Sequence, residues 1–568
     1  MKSFKKNFFH FFIPLTIFIF TITANSLASN DIFSAAKEGN IFQIEQYLAN
    51  KEDVNQQDSL GNTPLIYACL NGKDDVVKYL LKKKASTKMV NNEGNSPLTY
   101  ACLSNNAEVV KLILKEKTAP INGKNNDGIT PLMCAASRGN IEITNLLLNK
   151  KANPNITDNN GSTALMYAAD KNHLEIVKTL VEKKASINIE NKNKISAFFL
   201  AARKGNLETV KYLASSGANI NYPNIKGVTP FIACAAMGNL ETVKYMVETL
   251  KVDINSKDNN GNNALIAAVA FMYSDIIKNI VLDIKEIDIS DDNEYYDFLL
   301  KVKVQSKDIM EYLLNKGIYL NNANKLGYNA FMIAITENDI ETANYLYSKG
   351  INIDQIDNEG NNAILLATEF ANLNALSFLI DLGMDVNSSN NDGKTPLMFA
   401  IESGNFDMIN LVLSDDEINV KKSDKNGKTA LMYASQSGFI KVIMDLITKF
   451  SEDINDIDTK GNTPLMYAVE SGNLQAVKVL VSLKADKTIE NKEGLTAYDI
   501  AKSYSGQEYE EIADYLSESE SGKQITTPKK PAKQIQSQPK KKAAGTTKSK
   551  SKSRTKAKTT LKTASAKK

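Results

Sequence analysis

NNDGKTPLMFA, residues Asn390–Ala400, is the stretch whose reading decides the fold. Its Asp392-Gly393 pair supplies the positive φ values of a tight two-residue hairpin, so a hairpin tip is expected there. Thr395 then accepts from an otherwise unpaired amide, and Pro396 suits the first helical position because its missing donor is not needed there. A short helix is predicted to start at this point. The phrase recurs fourteen times between Gly61 and Gly494, with 33 or 34 residues from one glycine slot to the next. One supersecondary unit is being stacked along the body of the chain.

Three residues before the glycine slot every copy carries Asp or Asn, from Asp58 and Asn91 to Asp458 and Asn491. Such a side chain can hydrogen-bond the turning backbone. About eight residues into the helix stands Gly72, Gly139, Gly205, Gly238, Gly404, Gly438 or Gly472, or else Asn105, Asn172 or Asn338, the residue types that most easily end a helix in the left-handed conformation. A second helix follows, with Val76, Val77, Leu80 and Leu81 spaced to bury one face. No copy can bury that face alone, so stability must come from stacked neighbours.

The period, with TPLMYA at 463–468, GNLETVKYL at 205–213 and GANINYPN at 217–224, resembles the ankyrin repeat, whose pattern is Thr-Pro-Leu-His-x-Ala. The resemblance covers residues 31–516 and implies an all-α repeat solenoid of about fifteen stacked hairpin-helix-turn-helix units. One departure runs through every copy. The family's His slot holds residues such as Ile66, Met133, Phe199, Met398 and Met466, and finally Asp499, so a polar capping contact is exchanged mostly for apolar packing. The expected organisation is a leader at 1–28, an N-terminal capping repeat at 29–60, repeats at 61–293, a degenerate repeat at 294–326, repeats at 327–493, a C-terminal capping repeat at 494–520 and a disordered Lys-rich tail at 521–568.

In the leader, Lys2, Lys5 and Lys6 precede an apolar run from Phe8 to Ile22, and cleavage is expected after Ala28. The alternative is an uncleaved anchor, although the run is shorter than the ~20 residues a spanning helix needs. Residues 521–568 hold 16 Lys and Arg and no acid, and the leader holds three Lys, so a chain of net +3 leaves residues 29–520 at −16. An acidic solenoid thus carries a basic tail. Its expected partners are an anionic envelope polymer, a membrane surface, nucleic acid or the solenoid itself. No aromatic residue follows Tyr515, so base stacking is not on offer.

Composition argues against catalysis. Only His10 and His173 occur, and His173 falls in the turn between helices, a structural position. No His pair for a metal, no Ser/His/Asp or Cys/His set and no Gly-rich phosphate loop after a strand can be assembled, so no catalytic, metal or cofactor residue is assigned. Cys69, Cys102, Cys134 and Cys234 fall within first helices and read as buried small residues, not disulfide partners. The acidic stretch from Glu286 to Met310, with Glu294 in the glycine slot and Lys301 in a buried Ala slot, reads as a decayed repeat that still stacks. The other readings of it are a bend or binding loop, a weak cation site at Asp288, Asp291 and Asp292, or carboxylate chemistry within Asp288–Asp297.

The resemblance also implies that partners dock on a concave face made by hairpin tips and the exposed ends of first helices. By register this face comprises Leu70, Leu103, Arg138, Lys171, Arg203 and Lys204, then Met237, Phe271 and Phe370, then Glu337, Glu369, Glu402 and Glu470. It would run from basic through apolar to acidic and take a ligand of opposite charge order. The resulting expectation is a monomeric, exported, non-enzymatic protein that binds partner proteins, with the tail tethered to an anionic surface in the periplasm or envelope. A secreted effector whose PKKPAKQ and QPKKKAAG segments serve nuclear import or nucleic-acid binding is the alternative.

Overall fold

The computed structural model describes residues 31–51, 53–270 and 305–518. Helix Pro64–Leu70 shows how each repeat begins: the Thr63 hydroxyl accepts from the Ile66 amide at 3.2 Å, and Pro64 occupies the first turn. After a tight turn, helix Asp74–Lys82 buries Val76, Val77 and Leu80, while Leu81 is only half-buried. First helices are buried almost all round; Phe198, Phe199, Phe231 and Phe331 are each no more than 2% exposed. The pattern repeats through two compact units, Met1–Lys425 and Asn426–Lys568, as an all-α repeat solenoid with no strand among the described residues. Each buried Leu or Phe contributes roughly 1.5–3 kcal/mol, gained only when a neighbouring repeat covers it.

The hairpin differs from the two-residue loop expected. Gly61 N donates to Asp58 O at 2.9 Å and Asp58 N to Asn62 O at 3.1 Å, and in this loop only Gly61 has positive φ, at 76°. The loop has three residues, a turn closed by a left-handed glycine. It is the Asp or Asn at its start that specifies it: Oδ1 of Asp58 accepts from the Leu60 and Asn62 amides at 2.9 and 2.7 Å. The second carboxylate oxygen is held by the ring of the first helix, since Tyr67, Tyr167 and Tyr467 donate to Asp58, Asp158 and Asp458 at 2.7, 2.8 and 2.7 Å.

Asparagines wire one repeat to the next. In the hairpins, Asn92 N donates to Leu60 O at 2.9 Å and Asn92 Nδ2 to Ser59 O at 3.0 Å; Asn126, Asn159, Asn259, Asn358 and Asn391 repeat this double bond to the hairpin before. At the turns between helices, Asn106, Asn140, Asn206, Asn239 and Asn372 each reach back to a carbonyl at the end of the previous repeat's first helix or in the turn just after it. His173 takes the same place, with Nε2 3.1 Å from Ser137 O, which accounts for it structurally.

One stretch departs from the expected division. Lys325 N donates to Asn260 O at 2.7 Å, so the hairpin at 258–262 is bonded directly to the hairpin at 324–328. Tyr319 N likewise donates to Asn255 Oδ1 at 2.8 Å, a bond made elsewhere between residues 31 apart, as from Ser86 to Asn55. The first helices Ala264–Ala270 and Ala330–Thr336 pack side by side. Helix 305–315 therefore serves as the second helix of the repeat opened at Asp258, and a separate stacked unit at 294–326 does not stand between them. The glycine spacing concealed this because the extra chain is almost one period long. Phe271, Lys301, the acidic residues from Asp288 to Asp297, the leader with Ala28 and the Lys-rich tail lie outside the described residues.

All ten glycines and asparagines expected to end first helices have positive φ, from 55° at Asn338 to 77° at Gly139. Non-glycine residues also take left-handed positions that the pattern did not foresee, among them Ala371 (φ 56°) at the end of a first helix and Lys194 (φ 57°) in a hairpin glycine slot. The bond beside Lys194, from Ile225 N to Asn193 O, is also the longest in the hairpin series at 3.1 Å. Left-handed backbone costs a side-chain-bearing residue about 1 kcal/mol. Ala371→Gly and Lys194→Gly are each expected to raise stability by up to about 1 kcal/mol, measured as a shift of the denaturant midpoint; a loss of stability would contradict the strain.

The His slot keeps more polarity than its composition suggested. Sδ of Met133 accepts from Thr130 N at 3.4 Å and Sδ of Met398 from Thr395 N at 3.5 Å, a weak thioether version of the reciprocal cap. All four cysteines are free and buried, and burial pushes the Cys134 thiol up to about 12.

Candidate protein-binding face

Within each unit the last residue of a first helix and the residue after it fall beside their counterparts in adjacent repeats, because the first helices there pack side by side. In the first unit Leu70 ends Pro64–Leu70 and is 41% exposed, and Leu103 ends Pro97–Leu103 half-buried. Arg138, Lys171 and Lys204 follow at successive repeats, all exposed. Further along, Glu337 is half-buried, while Glu369, Phe370 and Glu402 are exposed. Glu470, in the second unit, is half-buried.

Two expected surface residues are interior. Met237 is 8% exposed and Arg203 3%. Arg203 turns inward because its Nη2 donates to Asp170 Oδ1 at 3.2 Å, a pair one repeat apart that the charge pattern alone did not show. The apolar middle thus loses Met237, and Phe370 is its exposed ring among the described residues of the expected set. Leu60 and Leu326 add to the apolar surface, 49% and 63% exposed at hairpin tips. An apolar residue just before the glycine, where other copies put Glu93, Asp127 or Asn160, was the available signal.

The acidic part carries its charge at a cost. Burial raises the Glu337 carboxyl from an ordinary 4.5 to about 7. Burial first, then Glu359 and Asp357, also raises Glu369, whereas Glu402 is held by Lys394 at 2.7 Å. Because the folded protein binds the Glu337 proton more tightly than the unfolded chain, this residue destabilises fully above about pH 7, and the penalty fades as pH falls toward 4.5. Glu337→Gln is expected to stabilise by about 1 kcal/mol at pH 8, a figure discounted for the half that remains solvated, and by almost nothing at pH 4.5. Thermal midpoints at the two pH values check it, and an equal gain at both would contradict it.

No group of three or more His, Cys, Asp or Glu able to hold a metal is present among the described residues, and no helix among them is long and apolar enough to cross a membrane. The face offers charge and shape to another macromolecule. A family model described as ankyrin repeats (3 copies) matches residues 32–125, 117–191, 198–293, 353–424, 417–491 and 446–528, well over half the chain. No curated protein matches it.

Proposed function

The chain belongs to the ankyrin repeat family, and from that premise we propose that it is a non-enzymatic scaffold which binds a partner protein on the face formed by its first-helix ends and hairpin tips. The observation that carries this reading is the order of exposed residues on the first unit: apolar at Leu70 and Leu103, basic at Arg138, Lys171 and Lys204, then acidic at Glu337, Glu369 and Glu402 around Phe370. Such an order registers a partner of opposite sequence of charge and gives it an aromatic anchor. The leader supports export to the cell envelope, where the basic tail meets an anionic polymer or membrane surface.

Affinity capture from the envelope with the full chain, at low and moderate salt, supplies the partner. The triple change Arg138→Ser, Lys171→Ser and Lys204→Ser is then expected to weaken binding at least tenfold with the thermal midpoint unchanged, since all three side chains are exposed. Unchanged affinity would remove the basic segment from the site.

A further inference from the structure

A second charged surface lies away from that face, where the second helices of the first repeats end. Helix Asp74–Lys82 runs into Lys83 and Lys84, and helix Ala107–Lys115 is followed by Lys117. Helix Ile141–Asn149 gives way to Lys150 and Lys151, and helix Leu174–Glu182 to Lys183 and Lys184. All these lysines are exposed, and Lys51 holds the matching place in the repeat before. These second helices pack side by side in order, so the lysines form a row along one edge of four or five adjacent repeats. Glu116 and Glu182 stand in the same row, and among the described residues no salt bridge within 4.0 Å involves any of its lysines.

Cations at helix C-termini are favoured by the helix dipole, which accounts for some lysine here. It does not account for the backbone. Lys51, Lys84, Lys151 and Lys184 sit at φ 63°, 66°, 67° and 67°, a conformation that disfavours any side chain; further repeats put Gly217, Gly317, Gly350 and Gly383 in this slot, and others Lys251, Ser451 and Lys484, also left-handed. The backbone role is the same for both: Lys184 O accepts from Asn155 Nδ2 at 3.3 Å and Gly217 O from Asn188 Nδ2 at 3.1 Å. A Cβ at the four glycines would meet nothing within 4 Å, so packing does not choose between Gly and Lys. The backbone therefore does not require the charge these four positions carry.

We propose that this lysine row is a docking edge for the anionic surface of a lipid bilayer, separate from the protein-binding face. Ammonium groups repeated about every 10 Å, the spacing of packed helices, act as point charges on an extended array of phosphates. They form no concave pocket for a single phosphate and no guanidinium fork. The edge would lay the first repeats flat on the membrane and leave the face with Arg138 and Glu369 to its partner.

Amine footprinting of the full chain on phosphatidylcholine vesicles with and without phosphatidylglycerol tests this. On the anionic vesicles Lys82–Lys84, Lys115, Lys117, Lys150, Lys151, Lys183 and Lys184 should lose acylation at least fivefold, while Lys211 and Lys244 on the outer helix faces keep theirs. Equal reactivity on both vesicles, or protection confined to the leader and tail, would overturn the proposal. So would protection of the row by soluble polyphosphate or DNA but not by vesicles. The variant Lys84→Gly, Lys151→Gly, Lys184→Gly should weaken anionic vesicle binding roughly tenfold. It relieves three left-handed side chains, so its thermal midpoint should hold or rise and loss of binding cannot be ascribed to unfolding. A variant that keeps the row's protection would also refute the assignment.

Discussion

Asp170→Ala is expected to destabilise the repeats around residues 164–215 by about 3 kcal/mol, whereas Arg203→Met should be neutral or slightly stabilising. The asymmetry follows from the geometry. Arg203 is 3% exposed, Nη2 bonds Asp170, and Nε and Nη1 have no hydrogen-bond partner. Removing the carboxylate leaves a buried cation with nothing to offset its desolvation, while removing the guanidinium leaves a partly exposed carboxylate that water can reach. Met fills similar space without a charge. In the double variant Asp170→Ala should cost less than about 1 kcal/mol, because the group it abandoned is gone. Denaturant midpoints of the four proteins, with hydrogen exchange of helices Ala164–Asp170 and Ala197–Lys204 to localise the effect, decide it. Equal losses from both single changes would mean that the pair itself stabilises.

Gly327→Ala should cost at least about 3 kcal/mol, against about 1 kcal/mol for Gly317→Ala. Both glycines are left-handed, at φ 90° and 83°, so the backbone penalty is shared. They differ in what a Cβ would meet. At Gly327 it would lie 2.6 Å from Asp357 Cα and 3.0 Å from the Ile356 carbonyl oxygen, backbone atoms of the next hairpin; at Gly317 it would meet nothing within 4 Å. To accommodate the methyl, the hairpins at 324–328 and 357–361 must part, loosening the bond from Asn358 N to Leu326 O. Thermal midpoints of the two variants check the difference, and equal shifts would show that the hairpins are not in close contact.

The repeat architecture was legible because it is written locally. Thr63-Pro64, Asp58 and Gly72 each act within a few residues of themselves, and fourteen copies reinforce the reading. What depends on the neighbouring repeat was harder to read. Arg203 looked like its exposed neighbour Lys204, and only the Asp170 carboxylate one repeat away turns it inward. Met237 occupies the register position of a surface anchor, but packing buries it. The direct junction of hairpins 258–262 and 324–328 was masked by an addition close to one period in length, which leaves every downstream glycine in step. Arg138, Lys171, Glu369, Phe370 and Glu402 are exposed, as the register implies, because first-helix length fixes which positions face outward.

The asparagine bonds of the hairpins and of the turns between helices have a direction. In the hairpins the donors of Asn92, Asn126 and Asn159 point to carbonyls of the repeat before, and at the helix turns Asn106, Asn206 and Asn239 point the same way. A polypeptide is made from its amino end, so each newly synthesised repeat finds the acceptors of these bonds already in place, while bonds such as Asn155 Nδ2 to Lys184 O wait for the repeat that follows. Growth of the solenoid can then proceed as sequential docking in the order of synthesis, with only the most recent repeat incomplete at any moment.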